Sequence, residues 1–246
     1  SVATRMICDR EKEIEAFVPS EYWSLTANFK TERGEAFEAK YYGSPKKREL
    51  TKGEQADEII AQLKGAEFTV QSVSKSVKKK HAPAPFTTSN LQQEASRKLG
   101  MTTKATMVVA QQLYEGVELE GQGATGLVTY IRTDSVRIAE EAVSSVRSYI
   151  EERYGKAYLP AKPNYYSSKK SAQDAHEAIR PTSVLRTPES IKHSLSASQY
   201  KLYKLIYERF VASQMAPAVY ATMAADIAGG DISFHFSGQK KSFPGF

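Results

Sequence analysis

The chain has 246 residues, 41% hydrophobic and 25% charged, enough to bury the core of one or two compact domains. It carries 34 Lys and Arg against 28 Asp and Glu, so its net charge of +6 and pI near 9.1 are compatible with a polyanionic partner. A single cysteine, Cys8, excludes an intramolecular disulfide and a multi-cysteine zinc site and fits a reducing cytosol; no apolar run approaches the ~18 residues of a membrane span, and no signal peptide is visible.

The chain opens at Ser1 without an initiator Met, inside what reads as a helix, so a piece of something longer is expected. Residues 2–17 place Ala3, Met6, Ile7, Ile14 and Phe17 on one helical stripe, closed by Pro19. From Tyr22 to Phe29 the period changes: Trp23, Leu25, Ala27 and Phe29 alternate with polar residues, as in a half-buried strand. Phe37, Ala39 and Tyr41 continue the alternation beyond Gly34, which predicts a hairpin. Thr51-Lys52-Gly53-Glu54 predicts a capping box for a helix with Ala56, Ile59, Ile60 and Leu63 on its apolar face, ended by Gly65. Phe68 to Val77 reads as a further strand. Lys78-Lys79-Lys80-His81 and the Ala-Pro-Ala-Pro run then read as a solvated connector, because Pro83 and Pro85 suit neither sheet nor helix.

Beyond that seam the period is helical. Ser89-Asn90-Leu91-Gln92 predicts a capping box for a helix stopped at Gly100, and Lys104 to Tyr114 predicts the next, together a helix-turn-helix outline. A glycine-rich loop from Gly121 to Gly126 delivers the chain into Leu127-Val128-Thr129-Tyr130-Ile131, a β-branched run read as a strand. Thr133, Asp134 and Ser135 offer N-caps for a helix over Val136 to Tyr154. Alternation along a strand points Tyr130 and Arg132 the same way, a phenol beside a permanent cation near a helix N-terminus. Ala161 to Ser171 reads as a loop, the His176 segment as a short helix stopped by Pro181, and Thr187-Pro188-Glu189 as another helix start. Ser196 to Gln199 caps the last long helix, and after Pro217 two runs, Val219 to Ile227 and Ile232 to Phe236, form a hairpin around Gly229-Gly230.

The string Thr129-Tyr130-Ile131-Arg132-Thr133-Asp134-Ser135 resembles the nucleophile motif of the type IA DNA topoisomerases. Pro85-Phe86-Thr87-Thr88-Ser89-Asn90-Leu91-Gln92-Gln93-Glu94-Ala95 before it and Ala175-His176-Glu177-Ala178-Ile179-Arg180-Pro181 after it resemble two more strings of that family, in the same order. Arg10 to Ile14 and Phe17-Val18-Pro19 agree as well, so the likeness runs nearly end to end. It implies an α+β multidomain fold: residues 1–19 a helical stub of the base domain, 20–85 and 217–246 a β-rich arch domain, and 86–216 an all-helical nucleophile-bearing domain inserted in the arch.

The resemblance also implies an ATP-independent isomerase that cleaves single-stranded DNA through a 5′-phosphotyrosyl bond, passes a strand and religates, relaxing negative supercoils. Tyr130 would be the nucleophile, Arg132 would stabilise the transition-state charge, and His176 would act as a donor near the scissile phosphate. Arg180 and Arg5 are backbone-phosphate candidates by charge and location, with a structural or solvated role weighing equally. Tyr149, Tyr154, Tyr158, Tyr165 and Tyr166 offer faces for base stacking, although packing between helices accounts for most such clusters. The family holds Mg2+ on an Asp-x-Asp cluster in a separate N-terminal domain. No Asp-x-Asp occurs among the six aspartates here, so no metal ligand is expected in this chain, and alone it is expected to be inactive. The expected partners are single-stranded DNA and the remaining domains of the same protein, with no membrane; a monomer at the nucleoid in the cytoplasm is expected. The rival reading is a non-catalytic helix-turn-helix DNA-binding module. A tyrosine recombinase is disfavoured, since that class places His-x-x-Arg before its tyrosine, whereas here Tyr130 precedes His176-x-x-x-Arg180.

Overall fold

The structure, a computed structural model, describes residues 1–43, 47–166 and 176–246. Its elements in chain order are α1 (Val2–Glu15), β1 (Thr26–Lys30), β2 (Ala36–Gly43), α2 (Gly53–Gln62), β3 (Phe68–Lys80), α3 (Thr88–Leu99) and α4 (Thr103–Glu115). There follow β4 (Val117–Leu119), β5 (Gly123–Thr125), α5 (Glu140–Tyr154), α6 (Ala197–Ser213), β6 (Ala218–Gly229) and β7 (Ile232–Phe243). These pack as two compact units, Ser1–Lys78 with Ala221–Lys240, and Lys79–Tyr220 with Lys241–Phe246. Among the described residues, no helix is long and apolar enough to cross a membrane.

The first unit is built on a sheet of strand order β1-β2-β7-β6-β3. β1 and β2 form the expected antiparallel hairpin, pairing Thr26 with Lys40 and Phe29 with Phe37, and β2 pairs antiparallel with β7. The sequence places Phe29, Phe37, Phe234 and Phe236 on one face, where their rings meet edge-on or stacked over a core of Ala39, Leu50, Ile227 and Ile232. Ala56 and Ile59 of α2 close that core, as their helical spacing predicts.

Several expectations for this unit differ from what the structure shows. Trp23 lies outside β1 and makes one isolated bridge to Leu50. Its ring instead crosses the start of α2, where a Cβ on Gly53 would come within 3.0 Å of it. The Thr51–Glu54 box does not form: the N-cap is Lys52, and the Gln55 side chain accepts the Thr51 N–H at 2.9 Å. Lys78, Lys79 and Lys80 are not a connector but the end of β3, an edge strand exposed along its whole length, where lysines stay solvated. The two units part at Lys78, Tyr220 and Lys240, inside β3, β6 and β7, whereas the expected seams lie at Pro85 and Pro217. The stripe on α1 exists as a helix without a core, for none of its residues is buried.

The second unit packs α3 to α6 around Phe86, Leu91, Leu113, Leu127, Ile131, Ile150, Ile179, Leu202, Ile206 and Phe210. It is not all-helical: the Gly121–Gly126 loop forms the turn and second strand of an antiparallel β4–β5 ribbon, with Gly121 at φ +74° and Gly123 at φ +69°. α3 starts two residues before the expected Asn90, capped not by Ser89 but by the Thr87 hydroxyl on the Asn90 N–H, and ends at Gly100 in the left-handed region. The Ser196–Gln199 box on α6 is present in full. Thr187-Pro188 starts no α-helix. Its turn closes on Ser190 and gives way to a 3-10 turn at Lys192–Ser194, because Ser196 already opens α6. Part of the loop expected at 161–171 lies outside the described residues.

Candidate active site

Three chain segments far apart in sequence meet at Tyr130. The strand expected through Leu127–Ile131 does not form as a ladder; only Val128 makes an isolated bridge, to Pro181. The cause is a change of neighbour along the segment. Before Tyr130 it lies beside 178–182, and after Tyr130 beside Thr88, so no partner accompanies it long enough to make a sheet. Thr129 clamps the first side. Its N–H donates to the Arg180 carbonyl at 2.9 Å, its hydroxyl to the Ala178 carbonyl at 2.8 Å, and the same oxygen accepts the Arg180 N–H at 3.0 Å. Thr88 clamps the second side, its hydroxyl donating to the Ile131 carbonyl at 2.7 Å and accepting the Thr133 N–H at 2.9 Å.

The segment nevertheless stays extended. Ile131, Thr133 and Ser135 are buried, while Tyr130, Arg132 and Asp134 are exposed. The alternation that predicts a common direction for Tyr130 and Arg132 therefore survives the loss of the strand. The cap candidates are spent differently from expectation. The Thr133 hydroxyl accepts the Ser135 N–H and the Ser135 hydroxyl accepts the Arg137 N–H, so two tight turns replace the first turn of the helix. α5 begins only at Glu140, and its N-cap, Ala139, has no side-chain acceptor of its own. Glu177 supplies one from a distant segment, accepting the Ala139 N–H at 3.1 Å and Arg180 Nε at 2.8 Å. Burial pushes the Glu177 carboxyl up, but the bonds from Arg180 and Ala139 and the charges of Arg180 and Arg137 outweigh it and hold the group below the ordinary range.

The His176 segment is extended, not helical, because Ile179 pairs with Phe86 and the Ala178 N–H is taken by the Arg137 carbonyl at 2.8 Å. This sets the His176 ring 5.4 Å from the Tyr130 ring, tilted 32°. Tyr114 packs edge-on against the other side at 5.6 Å. Tyr130 is left 41% exposed, enough for its hydroxyl to meet a macromolecular substrate. With Thr88, Ser89, Arg132, Thr133, Asp134 and His176 it lines an open cleft. The helix N-terminus at this cleft is that of α3, at Thr88 and Ser89, and not that of the helix following the tyrosine. Its dipole favours a negative charge, although the Thr88 amide is taken by the Thr133 carbonyl and the Asn90 amide by the Thr87 hydroxyl. Among the described residues, Arg132 has no hydrogen-bond or ion-pair partner, so its guanidinium is available to an anion.

The structure thus brings Tyr130, Arg132 and His176 together. It does not bring the other two candidates to them as free cations. Arg180 is 13% exposed, its Nε held by Glu177 and its Nη1 by the Pro181 carbonyl at 3.1 Å. Arg5 lies on α1 in the first unit, in an exposed pair with Asp9 at 3.5 Å. Sequence reasoning missed Thr88, Ser89 and Thr129 as site residues, although all three stand inside the motif strings. Most of the tyrosine cluster is packing: Tyr149, Tyr154 and Tyr158 meet ring to ring, and the Tyr166 hydroxyl bonds the Ser213 carbonyl.

No group of three His, Cys, Asp or Glu side chains able to hold a metal occurs among the described residues. Asp134 is the one carboxylate among the described residues that line the cleft.

A family model described as DNA topoisomerase matches residues 1–246. Full-length topoisomerase I from Thermotoga maritima, in a monoclinic crystal form, is 38% identical with a TM-score of 0.77. That match covers 97% of this chain and 37% of the Thermotoga chain, so this chain spans little more than a third of that relative's length. Match and likeness together are decisive: the chain belongs to the bacterial DNA topoisomerase family.

Proposed function

We propose that this chain supplies the nucleophile-bearing part of a type IA topoisomerase that cleaves and rejoins single-stranded DNA. The observation that carries the reading is the convergence of Tyr130, Arg132 and His176 on one cleft at the N-terminus of α3. The Tyr130 oxygen attacks phosphorus, a phosphotyrosyl bond forms to the 5′ side, and the bond to the 3′ oxygen breaks to leave a hydroxyl. Attack by that hydroxyl on the phosphotyrosine reverses both changes, so no external energy source is required. The negative charge gathered on the phosphoryl oxygens meets Arg132 and the positive end of the α3 dipole, and His176 donates to the same group. Thr129 and Thr88 fix the backbone on both sides of the nucleophile, which keeps the attack geometry preorganised.

In this reading the second unit is the nucleophile domain, inserted in a β-rich arch, and α1 belongs to the base. The protein acts as a monomer on nucleoid DNA. Magnesium is held by carboxylates outside this chain, so no step at Tyr130 is routed through the ion here. The test is to mix the chain with a separately produced acidic N-terminal domain of the family, Mg2+ and a labelled single strand, then denature. A covalent adduct is expected with the native chain and none with Tyr130→Phe. An adduct that persists with Tyr130→Phe overturns the reading. Binding only to duplex, with sequence preference, would favour a non-catalytic helix-turn-helix role for α3 and α4.

A further inference from the structure

Of the five tyrosines clustered between residues 149 and 166, one has no packing role. Tyr165 is 80% exposed, yet both of its chain neighbours are tied down by hydrogen bonds. On one side, Asn164 exchanges two hydrogen bonds with the wholly buried Gln214: its N–H donates to Oε1 at 3.2 Å, and its carbonyl accepts Nε2 at 2.9 Å. The Asn164 side-chain amide also donates to the carbonyls of Ser213 at 2.9 Å and Met215 at 3.0 Å. On the other side, the Tyr166 hydroxyl donates to the Ser213 carbonyl at 2.8 Å. A loop anchored this way cannot fold the intervening ring inward. An aromatic face held out on a rigid backbone loses little entropy when a flat ligand covers it.

The surroundings indicate what that ligand is. Tyr165 and Asn164 border a hollow of about 290 Å³ whose far wall includes Arg137 and Glu140 of the segment leading into α5. Arg137 is exposed and, among the described residues, its guanidinium has no hydrogen-bond or ion-pair partner. Its carbonyl accepts the Ala178 N–H, two residues beyond His176, so the segment that carries Arg137 is tied to the one that carries His176. A cation and a carboxylate side by side would sort a nucleotide: Arg137 attracts a phosphate, whereas Glu140 repels one and can accept from the amino groups of a base. An exposed tyrosine between them offers the stacking face that every base can use.

We propose that Tyr165 is a base-stacking residue for single-stranded DNA, receiving a nucleobase of the strand whose phosphate lies at Tyr130, with Arg137 on an adjoining phosphate. This rests on the single-strand reading given above. The test uses the whole chain and two labelled strands of equal length, oligothymidine and an abasic sugar-phosphate strand, with affinity read by fluorescence anisotropy. Tyr165→Ala is expected to weaken oligothymidine binding about 5- to 100-fold and leave abasic binding unchanged, while Tyr165→Phe keeps both. Arg137→Ala is expected to weaken both strands and to lower the log–log salt slope by about 0.7. If the native chain binds oligothymidine and Tyr165→Ala binds it equally well, or loses both strands equally, this inference fails while the single-strand reading stands. If the native chain binds neither strand, both fail.

Discussion

Thr88 and Thr133 bind each other reciprocally: the Thr88 N–H donates to the Thr133 carbonyl at 2.9 Å, and the Thr133 N–H donates to the Thr88 hydroxyl oxygen at 2.9 Å. The Thr88 proton goes on to the Ile131 carbonyl, so one side chain at the start of α3 fixes the backbone on the far side of Tyr130. The N-terminus of α3 and the Tyr130 segment are thereby held in one frame.

The first prediction follows from that bond pair. Thr88→Val keeps the shape but leaves the Thr133 N–H and the Ile131 carbonyl without their partner, which costs about 1–3 kcal/mol per group. Urea unfolding should show a lowered midpoint. Adduct formation with the complementing domain should fall further than single-strand affinity does, because attack geometry is lost before phosphate attraction. Thr88→Ser should restore both. Equal loss of binding and adduct would assign Thr88 to stability alone.

A second prediction concerns pH. Glu177 is held below its ordinary value in the fold, so its ionised form stabilises the native state. That contribution is fully present above the unfolded value of about 4.3 and disappears as pH falls through the lower folded value. Between pH 5 and pH 3 the native chain should therefore lose denaturation midpoint more steeply than Glu177→Gln, the two curves converging at the acid end. Parallel curves would show that Glu177 ties α5 to the His176 segment no better when charged. Because Arg180 leans on the same carboxylate, Glu177→Gln should also loosen the segment that presents His176.

The third prediction tests the floor beneath the site. Ile179 is wholly buried and bridges Phe86, joining the first and third motif strings beneath the cleft. Ile179→Ala should cost about 2–5 kcal/mol, read as a shift of the unfolding midpoint. An effect below 1 kcal/mol would mean that this core relaxes around the cavity.

What could be read from the residues divides along the range of the interactions. Periodicity located the β1–β2 hairpin, α2, α4, α6 and the closing β6–β7 hairpin, since these depend on near neighbours. The alternation through Tyr130 and Arg132 gave their shared direction correctly, but not the element. A strand needs a continuous partner, and here the partner changes from Arg180 to Thr88 at the tyrosine. The same limit explains the misplaced start of α5, whose acceptor is Glu177, 38 residues away along the chain. The lysines of β3 read as linker because an edge strand exposes its side chains as a linker does. Motif resemblance pointed to Tyr130, Arg132 and His176 as candidates, yet only the fold separates the engaged Arg180 from Arg132, which has no partner among the described residues.

The last prediction concerns catalysis by the chain alone. It should bind single strands and fail to relax supercoiled DNA, although it carries the proposed nucleophile. Attack needs the phenol proton removed and the phosphoryl charge stabilised. The cleft meets the second need in part, through Arg132, His176 and the dipole of α3. For the first, the described residues lining it offer Asp134 and His176, and no metal-holding group of carboxylates occurs among the described residues. Loss of a single preorganised donor commonly costs about 10²–10³ in rate, and in the proposed reading a whole wall of the site is supplied from outside. With the complementing domain present, Arg132→Ala should slow adduct formation by a similar factor while single-strand affinity changes only a few-fold. Arg132→Lys should recover part of the rate, since it restores the charge without the forked geometry. Relaxation by the unaided chain, or full adduct formation by Arg132→Ala, would show that the charge on the phosphoryl group is stabilised elsewhere.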